Sequence, residues 1–484
     1  MTRILIIFFL LTATGVGHAV QAQTRTTGRP NIVLFIGDDI GADDIGCYGN
    51  REVKTPNIDR LAKEGLRFTN AYVATSSCSP SRASIMAGRY PHNTGAAELH
   101  TVMPGEVALF PELLKKAGYY TAQAGKWHLG NTPKRAFDRI SINQKENGDG
   151  GEDMWIKTLQ ERPTDKPFFM WFAADDAHRV WGPNPYSGTH DPSRIVPPPY
   201  NANREGTRQD MARFYDEVYR FDYYIGLVEA ELKKQGVLDN TILIVMGDNG
   251  RPFPRAKVRI YDSGVRTPFV VKWNNGLVKK GAVTASLLSA IDIAPTLLEL
   301  AGVKSVPGVQ GRSFAKVLKN PALPFRNYVF TEHNWHDYEA FERGVRTKDF
   351  LYILNRRPHL TAADHGIKPN PSVADLRALR DSGRLTAAQA NVFMTPRPYE
   401  ELYDVKNDPM QLVNLASVPK YAAQLQQLRQ VMQRWQEETC DTDPGDLTPD
   451  WNHRETLQPL ETKGRRGNMP GGSKAVGITA GGPF

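Results

Sequence analysis

With 484 residues, 40% of them hydrophobic and 23% charged, the chain has the composition of an ordinary globular protein and room for a main domain with a smaller partner. Its net charge of +8 favours polyanionic partners, yet no zinc-finger, helix-turn-helix or RNA-binding signature accompanies it, which argues against nucleic acid and for anionic glycans or lipids. The three cysteines, Cys47, Cys78 and Cys440, cannot all pair, so the core must stabilise the fold and at least one thiol stays free.

The first 22 residues have the layout of a secretory signal peptide. Arg3 precedes an apolar run from Ile4 to Leu11, and the small residues Val20 and Ala22 suit a cleavage site. A retained N-terminal anchor is the alternative. No other apolar run approaches the roughly 20 residues that a membrane helix needs, so we expect an exported protein, periplasmic or secreted, with no membrane span after processing.

Strand and helix patterns alternate through residues 23–324 and predict an α/β catalytic domain, in which helices flank a large, mostly parallel sheet. The first strand, a buried one, is predicted in PNIVLFIG, and the next helix has Thr55 as N-cap, Pro56 in its first turn and Gly65 at its end. Further strands are predicted in YYTAQAGKWHLG, KPFFMWFAADDAH and NTILIVMGDNG, and a helix in AIDIAPTLLELAG, opened by Pro295 and closed by Gly302.

Residues 325–450 differ in pattern and predict a smaller C-terminal α+β subdomain. The segments NYVFTEH, FERGVRT, FLYILN and EELYDV are typical of short antiparallel strands. A terminal helix follows, because Leu425, Leu428, Val431 and Trp435 recur at helical spacing. Residues 451–484, which end in a glycine-rich stretch, are predicted to form a flexible tail.

Pairs of polar residues follow two predicted strands: Asp38 and Asp39 after the first, Asp248 and Asn249 after NTILIVMG. Because ligands bind outside the carboxyl ends of strands in open α/β sheets, the two pairs can converge. Adjacent aspartates repel each other in a partly buried site unless a cation holds them. An all-oxygen ligand set suits a hard cation such as calcium, although a helix N-cap or a loop turn would explain either pair alone.

Other strand ends carry further polar residues: Lys126, His128, Asp175, Asp176 and His178. Lys126 and His128 stand two apart, so an extended segment would direct them to the same side. Together with Arg82 and Lys257, these cationic groups would surround the metal site. A divalent cation with several cationic side chains suits a multiply charged anion such as sulfate or phosphate, although each residue alone is an ordinary surface group.

Cys78 stands in a polar segment, TSSCSPSRASIMAG, whose small polar residues argue against a buried thiol. The segment begins like a helix, so Cys78 would precede a helix N-terminus, where an anion is favoured. A thiolate nucleophile activated by that terminus and by Arg82 is possible. A soft thiolate matches an all-oxygen metal site poorly, so an oxygen nucleophile would suit the position better.

These motifs resemble the type I, formylglycine-dependent sulfatases of the alkaline phosphatase superfamily. CSPSRASIMAG matches the signature C-x-P-x-R of that family, GDDIG, GKWHLG and GDNG occur in the family's order, and the resemblance covers Pro30 to about Asp441. It implies that a formylglycine-generating or anaerobic sulfatase-maturing enzyme oxidises Cys78 to Cα-formylglycine, whose hydrate supplies the oxygen nucleophile. It also implies one calcium ion with these ligands: Asp38, Asp39, Asp248, Asn249 and modified Cys78.

The resemblance further implies that Arg82 stabilises the hydrate, and that the remaining cationic residues hold the sulfate or protonate the leaving group: Lys126, His128, His178 and Lys257. One hydroxyl of the hydrate would attack sulfur in line, after which the hemiacetal collapses and releases sulfate. Two departures from the family pattern concern the substrate pocket. The Glu-Gly pair that often follows the lysine is absent from KVRIYDSG, and DDAHRVW lacks the usual proline.

The segments SSCSPSRAS, DAHRVW and DNGRPFP look most like the heparan N-sulfatase (N-sulfoglucosamine sulfohydrolase) branch, which implies a sulfated glycan or its oligosaccharides as substrate. Three alternatives stay open: an O-sulfatase of sulfated algal polysaccharide, a phosphodiesterase or phosphonate hydrolase of the same superfamily, and a glycan-binding protein without activity. His333 and His336 could reach the sugar or have a structural role. A monomer or a homodimer is expected.

Overall fold

The structure is a computed structural model that describes residues 28–275, 279–305, 308–361 and 370–484. The predicted signal peptide lies outside the described residues. Eight strands form the larger sheet: β1 (Asn31–Gly37), β2 (Leu66–Tyr72), β3 (Tyr120–Gly125), β4 (Arg139–Ser141), β5 (Phe168–Ala173), β6 (Thr241–Gly247), β7 (Phe269–Lys272) and β8 (Ala282–Ser289). Their order is β4-β3-β5-β1-β6-β7-β2-β8, and β7 alone runs antiparallel to its neighbours. The predicted α/β class with a mostly parallel sheet is confirmed.

The central strands are buried on both faces, which explains why their sequences are continuous apolar runs. Every residue of β1, β5 and β6 is buried. Ile36 and Trp171 pack into the core on one face, whereas Phe35 and Phe172 pack into the core on the other. The register pairs Ile36 with Ala173 and Gly37 with Gly247, so these strands end at the same level.

Besides short 3-10 turns, the described residues form thirteen α-helices: α1 (Pro56–Glu64), α2 (Cys78–Ala87), α3 (Phe110–Lys116), α4 (Gln144–Asn147), α5 (Met154–Gln160), α6 (Glu205–Lys234), α7 (Asp262–Val265), α8 (Ile293–Leu300), α9 (Ala315–Lys319), α10 (Pro371–Asp381), α11 (Ala387–Ala390), α12 (Ala422–Thr439) and α13 (Gly472–Val476). Helix α1 has the predicted N-cap Thr55 and ends at Gly65, whereas α8 begins at Ile293, two residues before Pro295. Helices α1 and α6 cover one face of the sheet, and α2, α3 and α8 cover the other.

The smaller sheet contains β9 (Val329–His333), β10 (Glu342–Arg346), β11 (Phe350–Asn355) and β12 (Glu400–Asp404) in the order β12-β11-β10-β9, with every pairing antiparallel. Helix α12 packs on it through Leu425, Leu428 and Trp435, as predicted, while Met432 is buried in place of the half-buried Val431. Trp435 stacks on Phe330 with a centroid distance of 4.9 Å. The predicted α+β subdomain with an antiparallel sheet and a terminal helix is confirmed.

The last residues do not form the flexible tail that their glycine content predicts. They cross the molecule and receive hydrogen bonds from side chains far away in sequence: Arg89 donates to Val476 (2.7 Å) and Ile478 (2.6 Å), Asn93 to Ala475 (2.9 Å), Gln310 to Ala480 (2.8 Å) and Tyr90 to Gly481 (3.1 Å). Glycine content cannot indicate these partners, because they come from other parts of the chain. Within the described ranges, no helix has the length and apolar content that crossing a membrane requires.

Candidate active site

The polar residues that follow β1, β3 and β6 meet at one edge of the larger sheet, as the parallel arrangement predicts. The chain after β1 passes so close to the end of β6 that a Cβ atom on Gly247 would lie 2.0 Å from the backbone oxygen of Ile40. Only glycine permits this approach. As a result, the backbone N–H of Asp39 donates to Asp248 Oδ1 at 3.1 Å, which joins the two acidic segments.

Helix α2 brings Cys78 to the same edge. Ser77 is its N-cap, Cys78 is its first residue, and Gly88 ends it with a φ of 65°. The prediction that the polar neighbours of Cys78 keep it unburied is wrong: its residue is 2% exposed, because charged groups from distant segments surround it. Burial raises the pKa of the Cys78 thiol, so the unmodified side chain is a neutral thiol and not an activated thiolate.

The potential ligand atoms of Asp38, Asp39 and Cys78 lie within 4.8 Å of one another. Cys78 Sγ lies 3.9 Å from Asp39 Oδ1, which also accepts a hydrogen bond from Asn249 Nδ2 at 2.7 Å. Asp38 Oδ1 and Asn249 Oδ1 are buried and have no hydrogen-bond partner among the described residues. Two oxygens without a hydrogen bond beside clustered carboxylates fit a hard cation, so the donor set is suitable for calcium.

Three cationic side chains neutralise these carboxylates. Arg82 Nε donates to Asp248 Oδ2 at 2.8 Å, and its Nη2 lies 3.6 Å from Asp38 Oδ1. Lys126 Nζ pairs with Asp38, and Lys257 Nζ lies 2.7 Å and 2.8 Å from the two carboxylate oxygens of Asp39. The predicted cations and carboxylates therefore form one buried network.

The ionisable groups of this network differ in how far their pKa values depart from the usual ones. Burial opposes ionisation of Asp38, but Lys126 and the neighbouring cations hold its pKa well below the usual value. Burial and the charge of Asp38 raise the pKa of Asp248 to about 7. Burial also disfavours the charge of Lys257, yet Asp39 raises the pKa of that ammonium group above its usual value. A divalent cation would relieve the repulsion between the carboxylates.

The histidines occupy the open side of the network. Strand β3 ends at Gly125, so Lys126 and His128 lie in the following loop and not in an extended strand; His128 has a φ of 54°. Burial and the charge of Lys126 lower the pKa of His128 to about 2, so its ring is neutral. His178 is exposed and its Nδ1 contacts the carbonyl oxygen of Arg179. Asp176 is not part of the network, because both of its carboxylate oxygens accept hydrogen bonds from Arg220.

Two further histidines contact residues beside the network. His336, left open between a sugar contact and a structural role, is buried, and its Nδ1 lies 2.7 Å from Ser77 Oγ beside Cys78. His100 was not predicted; its Nδ1 lies 2.8 Å from His128 Nε2. A single histidine in a loop gives no signal in the sequence, because its partner is recognised only after the chain has folded.

The comparisons with known proteins agree with this geometry. A family model described as Sulfatase matches residues 30–303, and one described as N-sulphoglucosamine sulphohydrolase, C-terminal, matches residues 255–357. An ulvan-active sulfatase of Formosa agariphila is 32% identical over 469 residues, which cover 85% of this chain and 76% of that protein. The N-sulphoglucosamine sulphohydrolase of Homo sapiens is 31% identical over 481 residues, covering 89% of this chain and 94% of that protein.

A solved structure described as a complex with its substrate D-glucosamine-2-N,6-O-disulfate has the same fold, with a TM-score of 0.69, 24% identity, and coverage of 84% of this chain and 98% of that chain. The family model spans more than half of the present sequence, and two sulfatases exceed 30% identity over most of its length. The chain therefore belongs to the sulfatase family and is a sulfuric ester hydrolase.

Proposed function

We propose that this sulfatase hydrolyses sulfate groups of a sulfated glycan and that it uses one calcium ion and a formylglycine made from Cys78. The observation that carries the proposal is the buried cluster of Asp38, Asp39 and Cys78, whose ligand atoms lie within 4.8 Å of one another. Asp248 and Asn249 would complete the ligand set. A sulfur atom is a poor calcium ligand, and conversion of Cys78 to a hydrated aldehyde would make every ligand an oxygen.

Bound calcium would neutralise the carboxylates and polarise the sulfate, while the hydrated aldehyde would supply the nucleophilic oxygen and, through its second hydroxyl, the means to release sulfate. Side chains of the protein would stabilise the nucleophile and bind the sulfate. Arg82 is held by Asp248, so its remaining N–H groups can stabilise the nucleophile. Lys126 and Lys257 would turn from the carboxylates to the sulfate oxygens once an ion neutralises Asp38 and Asp39.

Two histidines would contact the substrate. His128 is neutral and half-buried, so it can bind the sulfate through a ring N–H. His178 is exposed at the outer side of the cluster, where the bulky sugar must lie. We therefore assign protonation of the leaving oxygen or nitrogen to the protonated ring of His178, which would donate from Nε2 because Nδ1 contacts the carbonyl oxygen of Arg179.

An N-sulfated amino sugar is the substrate we favour. Similarity to the N-sulphoglucosamine sulphohydrolase of Homo sapiens and the match of residues 255–357 support this choice. A polar pocket adjoins the site, and its lining includes Val258, next to Lys257, and His336. His333 Nδ1 and Asn355 Nδ2 line this pocket, are buried and have no partner among the described residues, so they could bind sugar hydroxyl groups.

A second candidate is an O-sulfatase of sulfated algal polysaccharide, because the ulvan-active sulfatase of Formosa agariphila is as similar as the human protein. Incubation with N-sulfated glucosamine and, separately, with sulfated algal oligosaccharides distinguishes the two. Sulfate release from the N-sulfated sugar supports the first choice. Sulfate release only from the algal oligosaccharides would contradict the choice of an N-sulfated amino sugar, but it would still support the sulfatase reaction.

The signal-peptide pattern supports export to the periplasm or the medium, and modification of Cys78 would then require a formylglycine-generating or anaerobic sulfatase-maturing enzyme in the host. Mass spectrometry of the peptide that contains Cys78 tests this directly, because the aldehyde is lighter than the thiol and reacts with hydrazides. Cys78→Ala should lose essentially all turnover of an aryl sulfate, whereas Cys47→Ala should retain it. An unmodified thiol in active native protein would contradict the proposal.

A further inference from the structure

His100 and His128 form a pair of imidazole rings at the mouth of the active site. His100 Nδ1 lies 2.8 Å from His128 Nε2, and the ring centroids are 4.8 Å apart. Two neutral imidazoles at hydrogen-bond distance share a single hydrogen, so one nitrogen donates and the other accepts. The choice between these two arrangements fixes which nitrogen of His128 carries its proton.

The fold holds His100 in a fixed place. Its backbone N–H donates to Ser79 Oγ at 2.9 Å, and Ser79 is the next residue after Cys78. The preceding residue, Leu99, donates to Trp335 O at 3.1 Å and accepts from Arg466 Nη2 at 2.9 Å. His100 has a φ of 64°, in the left-handed region that residues other than glycine seldom adopt. Such strain persists only where the surroundings determine the conformation, and it is concentrated at functional sites.

The other ring nitrogen of His128 has no partner in the protein. His128 Nδ1 is buried and has no hydrogen-bond partner among the described residues. The charges of Lys126, Asp38 and Arg82 act on this ring, so His128 lies beside the network that would hold sulfate. A sulfate oxygen is a hydrogen-bond acceptor only, and therefore requires a donor at that nitrogen.

We propose that His100 is a positioning residue, whose Nδ1–H donates to His128 Nε2 and so fixes the proton of His128 on Nδ1, directed at the sulfate. The inference rests on the role proposed above for His128. In this arrangement His100 Nε2 carries a lone pair at the exposed rim, where it can accept a hydrogen bond from the sugar. His100 does not touch the reacting atoms.

Two substitutions separate the hydrogen bond from the backbone conformation. His100→Gly removes the ring and tolerates the positive φ, so that any loss cannot be attributed to added strain. His100→Asn also tolerates this conformation, and its Nδ2–H can occupy the place of the imidazole Nδ1–H. We expect His100→Gly to lower kcat on an aryl sulfate by about 10-fold to 100-fold, as for other residues that orient a catalytic group. His100→Asn should recover most of the turnover.

Nuclear magnetic resonance of protein labelled with ¹⁵N-histidine reads the tautomer directly. The expected spectrum has His128 protonated on Nδ1 in the wild type and in His100→Asn, and a mixture of tautomers in His100→Gly. The exposed His359 provides the matched control, since His359→Gly should alter neither kcat nor the His128 signals.

Several results would overturn the inference: full turnover in His100→Gly, an asparagine variant no more active than the glycine variant, or His128 protonated on Nε2. His128→Ala is measured in parallel. If that variant keeps its activity, the role proposed for His128 fails, and the inference about His100 fails with it. If His128→Ala is inactive while His100→Gly is not, only the inference about His100 fails.

Discussion

Arg82 and Asp248 form an ion pair at the centre of the candidate active site, with Arg82 Nε donating to Asp248 Oδ2 at 2.8 Å and neither side chain exposed to solvent. The pair connects the helix that begins with Cys78 to the residue that follows β6. Removing one partner of a buried ion pair leaves an uncompensated charge, so the loss of either residue would destabilise the site. The motif C-x-P-x-R thus includes the residue that anchors the helix to the sheet edge.

The first prediction concerns Arg82→Lys. Lysine retains the charge but lacks the planar fork that contacts Asp248 while approaching Asp38. We expect kcat on an aryl sulfate to fall at least about 100-fold, because a stabilising donor is lost from a buried site. Arg434→Lys, at an exposed position of α12, is the matched control and should leave kcat unchanged. Wild-type turnover in Arg82→Lys would show that the guanidinium geometry is not required.

The second prediction concerns metal binding by the acidic cluster. A ligand that binds only the folded state stabilises it, by about 2.7 kcal/mol at a concentration 100 times its Kd. Calcium added to chelator-treated protein should therefore raise Tm, and Asp39→Asn should abolish the response by removing a ligand charge. Asp381→Asn, at an exposed position, should respond as the wild type does. Differential scanning fluorimetry measures the effect, and an equal response in Asp39→Asn would place the calcium elsewhere.

Much of the site was predictable because its geometry follows from a general rule. Asp38, Asp39, Asp248 and Asn249 follow two strands, and parallel neighbours bring their carboxyl ends together. The burial of Cys78 could not be predicted, since its neighbours in sequence are polar and the groups that enclose it come from other segments.

The remaining errors have a related cause: the interactions that decide them are distant in sequence. His100 contacts His128, which follows it only after helix α3 and strand β3. The final residues are ordered by Arg89 and by other side chains hundreds of residues away. Periodicity and composition report local preference, and they cannot identify a tertiary hydrogen bond.

The third prediction concerns acid stability and Glu342. This buried carboxylate pairs with Arg397, lies 3.6 Å from Arg259 and stands opposite His333 in the sheet. Burial opposes its ionisation, but Arg397 and its other cationic neighbours lower its pKa to about 2. Because the folded pKa lies below the unfolded value near 4.5, the group stabilises the fold above pH 4.5 and this contribution is lost as the pH falls from 4.5 to 2.

Glu342→Gln should therefore lower the free energy of unfolding at pH 7 by roughly 3 kcal/mol and by much less at pH 3. Urea unfolding at the two pH values measures the difference. Glu455→Gln, whose side chain is exposed, should show little change at either pH. An equal loss at both pH values would mean that the charge of Glu342 contributes nothing to acid stability.

The fourth prediction concerns the C-terminal segment from residue 472 onward. Deletion of residues 472–484 removes carbonyl groups that Arg89, Asn93 and Gln310 donate to. Asn93 and Gln310 each keep one other acceptor, and each buried N–H left unpaired costs about 1–3 kcal/mol. We therefore expect the free energy of unfolding, measured in urea, to fall by several kcal/mol. Arg89 and Asn93 closely follow the helix that begins with Cys78, so turnover should fail at a lower temperature than in the full-length protein.

Arg89→Met should reproduce part of the loss of stability, because it keeps the apolar stem and removes both N–H groups that donate to Val476 and Ile478. Arg465→Met, at an exposed position, should leave the free energy of unfolding unchanged. A deletion variant as stable as the full chain would show that the segment contributes nothing to folding, and that its hydrogen bonds exchange freely with water.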